Sequence, residues 1–246
     1  MGIVLVFYTL FSQVYRHSMN DSSIQIDPLD SPYPIPWSWV QATQFSTEVS
    51  PHLRYYRTQA LVSPDGVYAA YSRIQMQVER DFTQSQVSSV LFIENLQTGD
   101  FQTVPIDAPF AENPFGSYME TPPTGSIAIV IPVAWSAGSD RLLSREFESL
   151  FGSGMGSDFA VVWDRPSGQV FTMAPGGISY TNAVLLGWSQ THPDRVLFRA
   201  GELGDSEWRV WSVDTAGHTN PAFEDHPIGF GQTMTHLWAG PQAARS

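Results

Sequence analysis

The chain has 246 residues, 42% of them hydrophobic and 15% charged, enough apolar material for one large domain with a core and too much for a disordered chain. Acidic residues number 24 against 12 basic ones, all Arg, giving a formal net charge of −12. That balance repels phosphate backbones and excludes nucleic acid as an expected partner, and the absence of Cys removes disulfides, thiolate metal sites and a cysteine nucleophile.

The chain opens with MGIVLVFYTLFSQVYRHS, whose apolar run Ile3 to Phe11 has no basic residue ahead of it and no small-residue cleavage pattern after it. A signal peptide fits poorly, and the run falls short of the roughly 20 residues that span a bilayer. Three readings stay open: an extension packed on the fold or frayed, a weak membrane association through residues 1–15 with Arg16 and His17 at the interface, or an upstream start with Met19 as the true first residue. Residues 1–30 are therefore set apart as an N-terminal extension and 31–246 as a single domain. Next comes SPYPIPWSW, whose prolines favour an extended polyproline II path. Tyr33, Trp37 and Trp39 there form an arm that either clamps the fold or docks on a partner.

From residue 54 onward the sequence repeats itself. SPDGVYAAYSR (Ser63 to Arg73), WSAGSDRLLSR (Trp135 to Arg145) and WSQTHPDRVLFR (Trp188 to Arg199) each place a Ser, a short turn, an Asp and a hydrophobic stretch that reaches an Arg. An apolar strand precedes each Ser, as in SIAIVIPVAW, and a β-rich run follows it, with a polar turn ending in Gly99, Gly168 or Gly217. Gly supplies the positive φ such a reversal needs. Each unit therefore predicts four strands in series. RLLSREFESLF also fits a helix, with Leu143, Phe147 and Phe151 at i, i+4 and i+8, but its place in the repeat predicts a strand. Ala108 to Ser126 is a Pro/Gly-rich insertion and predicts a surface loop.

These units, with SPDG ahead of an apolar strand and a run ending in QTGD, resemble the TolB-type, WD40-like (PD40) β-propeller repeat over about residues 54–225. The whole chain, with LLGWSQ and FGQTMTHLWAGPQ, also resembles a group of cyanobacterial proteins without an assigned function. The resemblance implies an all-β fold, a small or incomplete propeller of four-stranded blades. Three clear units cannot close a ring, so either the chain ends near Pro34 and Pro227 build a fourth, or the half-ring stays open and can dimerise.

Chemistry is sparse. Ser63, Asp65, Gly66, Ser136, Asp140, Ser189 and Asp194 read as turn markers whose carboxylates accept backbone N–H bonds. Arg73, Arg145 and Arg199 recur without a turn rule to demand them; converging, they would form an anion or partner site. The histidines show no metal-like spacing, and G-x-S-x-G is absent. No metal, no cofactor and no catalytic set are expected. The favoured reading is a non-catalytic protein-interaction scaffold in the cytoplasm. The alternatives are a hydrolase using carboxylates such as Glu146, Glu148 or Asp158, and a membrane-peripheral assembly factor, in a peripheral membrane or periplasmic setting.

Overall fold

A computed structural model describes residues 27–45, 53–111 and 123–234. The N-terminal run and residues 112–122 of the insertion lie outside the described residues. The described chain is mostly β, with one short helix, α1 (Trp37–Gln44).

Alternating apolar residues and tight turns give each predicted unit an antiparallel meander. In unit one, β1 (Leu53–Arg57) and β2 (Ala60–Val62) both pair with β3 (Tyr68–Gln77), β3 with β4 (Gln86–Asn95), and β4 with β5 (Phe101–Val104). Unit two runs β6 (Ser126–Trp135), β7 (Arg141–Leu150), β8 (Gly156–Asp164) and β9 (Val170–Met173). Unit three runs β10 (Asn182–Ser189), β11 (Val196–Gly201), β12 (Arg209–Val213) and β13 (Thr219–Pro221). The stretch that also fitted a helix is thus β7, because both neighbouring strands take up its backbone groups. Gly99, Gly168 and Gly217, at the last reversal of each unit, have φ of 78°, 69° and 84°.

A parallel bridge, Val87 to Ile127, joins units one and two into a ten-stranded sheet; unit three belongs to a separate five-stranded sheet. Both sheets are open and no closed ring forms among the described residues. The units stack face to face. Leu91 and Ile93 of unit one meet Trp135, Leu142 and Trp163 of unit two, and Leu143 and Val162 of unit two meet Leu185, Trp188 and Phe198 of unit three.

The chain ends do not build a fourth unit among the described residues. After the fixed φ of Pro36, Trp37 starts α1, whose Val40 and Thr43 turn inward one helical turn apart. The helix covers Ile74, Met76, Ile127, Ile129 and Phe147, with Trp37 edge-on to Phe147 at 6.3 Å and Trp39 against Tyr56 at 5.4 Å. The C-terminal segment crosses the first strands of all three units instead. β14 (Pro227–Ile228) pairs with β10, Phe230 bridges Trp135 at the end of β6, and β15 (Gln232–Met234) pairs with β2. Glycine makes this passage possible: a Cβ on Gly229 would stand 2.9 Å from Ala134 Cβ, and one on Gly231, at φ +110°, would stand 2.9 Å from Val62 O and from Trp135 Cδ1.

Candidate functional site

Each unit turns from its first to its second strand around a serine hydroxyl. Ser63 Oγ donates to Asp65 (2.5 Å) and accepts from Tyr68 N (3.0 Å). Ser136 Oγ donates to Asp140 (2.5 Å) and accepts from Arg141 N (3.0 Å). Ser189 Oγ accepts from His192 N (2.7 Å), but it donates to Asp225 (2.5 Å), not to Asp194, which lies exposed on the turn. The reason is reach: HPD lengthens the third turn, and the segment leading to β14 brings Asp225 alongside, where it also accepts from Gln190 N and Thr191 N at 3.1 Å. Asp225→Ala is expected to cost about 1 kcal/mol in urea unfolding, the scale of a lost turn hydrogen bond, and Asp194→Ala much less. Neighbouring turns are stitched together by Asp65 N to Ser139 Oγ (3.0 Å), Arg165 to Asp65 (2.8 Å) and Arg141 to Pro193 O (2.8 Å).

The three recurring arginines go to three places. Arg145 is fully buried: its Nε donates to Asp158 (2.7 Å), and its Nη1 to Asp27 (2.6 Å) and Tyr33 O (2.7 Å). Burial works against the charge, but Asp158 and Asp27 raise the Arg145 pKa. Asp27 carboxylate oxygens also accept from the N–H groups of Leu29, Ser31 and Ile35, so one ion pair pins the whole strap 27–35 on unit two. Within that strap Tyr33 lies half-buried, its hydroxyl beside Gly187. Arg73 is exposed, 5.4 Å over the Phe92 ring. Arg199 sits in β11 between Val184 and Val210, on the side of unit three away from unit two.

The carboxylates that a hydrolase would need are closed in. Asp158, raised to about 6 by burial against the pull of Arg145, also accepts from Leu185 N (2.9 Å). Glu146 and Glu148 share the opposite face of β7. Burial raises Glu148 to about 7, opposed by the backbone N–H groups of Phe110 and Ala111 that it accepts. Burial and the charges of Glu148 and Asp158 raise Glu146 well above the ordinary carboxylate value, and its Oε2 has no hydrogen-bond partner. A raised folded-state pKa means the fold retains a proton that the unfolded chain releases. The Glu148 contribution to stability is therefore whole below the unfolded value of about 4.3 and lost as pH rises through about 7. Glu148→Gln should flatten the melting temperature between about pH 4 and 7; an unchanged slope contradicts the assignment. Among the described residues no group of three or more His, Asp or Glu is placed to hold a metal ion.

One flank has no neighbouring unit among the described residues. The face of unit one turned away from unit two carries its own cluster of Ala60, Val62, Ala69 and Tyr71, drawn from unit one alone. Tyr71 and Phe92 stack there at 5.4 Å, Arg57 lies 4.2 Å over Tyr71, and Arg73 covers Phe92. On β5, Phe101 extends the same face and is 56% exposed. Glu94 stands beside Phe101 in register, its pKa raised by burial and lowered by Arg57, with Oε2 lacking a hydrogen-bond partner. Aromatic rings and arginines on a sheet face with no neighbouring unit among the described residues have the composition of an interface centre. Arg73 stands out in the sequence by its recurrence, whereas Arg57, Tyr71, Phe92 and Phe101 do not. Their alternation along β3, β4 and β5 was the available signal, but alternation alone does not say which of two faces is left uncovered. No family model matches the chain, and no curated protein matches it.

Proposed function

We propose that the chain is a non-catalytic protein-interaction scaffold of the TolB/WD40-like propeller type, an open half-ring of three blades that offers the flank of blade one to a partner. The observation that carries this reading is the exposed pair Arg73 and Phe101 beside the stacked Tyr71 and Phe92, on the side where a ring would place a further blade. Its four-stranded meanders, their face-to-face cores and the repeated Ser turns support the propeller assignment. The acids and arginines engaged in turns and buried pairs support a non-catalytic role.

The partner that fits is a protein surface with an apolar centre and carboxylates at its rim, to meet the exposed Arg73. A second copy fits less well, because its blade-three flank would set Arg199 against Arg73. The test compares wild-type chain with Arg73→Glu/Phe101→Asp, both exposed positions, in co-purification from native extract, with mass measured by light scattering. The expected result is a partner held by the wild type and lost by a variant of unchanged melting temperature. A partner retained by the variant, or a stable homodimer that the variant leaves intact, overturns the reading.

A further inference from the structure

A second surface lies elsewhere on the molecule and goes beyond the scaffold reading. α1, the turn between β3 and β4 and the turn between β7 and β8 enclose a cleft of about 300 Å³. Val40, Ile127 and Phe147 lie deep in it, and Phe45, Phe82 and Met155 form its rim, 75%, 48% and 64% exposed. None of the lining residues is Asp, Glu, Arg or His, in a chain whose net charge is −12. Large apolar side chains at loop tips around an uncharged cleft are costly in water and suited to the boundary between lipid headgroups and acyl chains.

The path of the chain adds an independent argument. Pro28 and Leu29 form part of the cleft wall, and Arg145 fixes Asp27 beside them. The described chain therefore begins beside this cleft, and the apolar run Ile3 to Phe11 lies in the sequence ahead of Asp27. The connecting residues 12–26 can span about 50 Å at most, so the covalent link to Asp27 limits how far the run can lie from the cleft. Among the described residues no helix is long and apolar enough to cross a membrane.

We propose that this apolar cleft rim seats the protein peripherally on a lipid bilayer, through apolar insertion of Phe45, Phe82 and Met155, with the exposed Arg80 and Asp81 beside Phe82 left at the headgroup level. An acidic chain is repelled by anionic headgroups, so neutral lipid is the better surface. The experiment is flotation of the full chain with vesicles of phosphatidylcholine alone and of phosphatidylcholine mixed with phosphatidylglycerol, at low and high salt. Binding is expected to phosphatidylcholine at both salt concentrations and to be weaker on the anionic mixture. Phe82→Asp/Met155→Asp should lower it at least about tenfold with near-UV circular dichroism unchanged, and Phe45→Ser provides a second variant should that pair disturb the fold. Four results overturn the proposal: no vesicle binding by the wild type, binding confined to anionic vesicles and abolished by salt, equal binding by the cleft variants, or protein capture through this cleft without vesicle binding. Leu5→Asp/Phe7→Asp in the full chain should weaken binding without abolishing it; complete loss there, with the cleft variants still bound, assigns binding to the run alone and also overturns it.

Discussion

Arg145→Gln is expected to destabilise the protein by about 3–5 kcal/mol in urea unfolding, because it leaves Asp158 and Asp27 as buried carboxylates without their cation. Both acids lie at or below 3% side-chain exposure beside a guanidinium at 0%, so water cannot replace the lost partner. The loss also frees Tyr33 O and the strap 27–35, so amide exchange should accelerate first at Leu29 and Ile35 and then across α1. Arg73→Gln and Arg199→Gln, at repeat-equivalent positions, should each cost below about 1 kcal/mol, since Arg73 is exposed over a ring and Arg199 is only part-buried. Three equal losses would contradict the distinct placements of these arginines.

Gly231→Ala is the second large effect. The new methyl would meet Val62 O and Trp135 Cδ1 at 2.9 Å on a backbone held at φ +110°, and the expected cost is about 2–3 kcal/mol. Its consequence is local before it is global: β15 should detach from β2, and exchange at Ala60 to Val62 should rise ahead of β3. Gly99→Ala serves as the comparison, because open space surrounds that Cβ and only the backbone strain of φ 78° remains.

How much of this could be read beforehand follows from the range of each interaction. The three meanders were legible because their signals are local: Ser at one reversal, Gly at the other, and alternation between. β7 was legible only through the repeat, since Leu143, Phe147 and Phe151 also satisfy a helix. α1 was hidden by its entry, because the prolines that argue for an extended path also supply the fixed φ from which Trp37 starts a helix. Asp225 was missed because it reaches Ser189 from 36 positions away, while Asp194 stands in the expected place. The Arg145 site depends on a partner 118 positions distant, and nothing around Asp27 announces it. The C-terminal crossing escapes a search for strands because it consists of pairings two and three residues long and a single bridge.

The C-terminal segment ties the three units together, while among the described residues the outer flank of unit one has no neighbouring unit. The absence of Cys from the chain allows a direct measurement. Val62 and Gln232 are cross-strand partners, one buried and one exposed, so Val62→Cys/Gln232→Cys places two thiols within disulfide reach. The account predicts that mild oxidation of the folded monomer gives near-complete intramolecular disulfide, with Arg73 and Phe101 on the flank still accessible to arginine modification and radical footprinting. Failure of the disulfide to form in the folded monomer, or protection of Phe101 in the isolated chain, would contradict it.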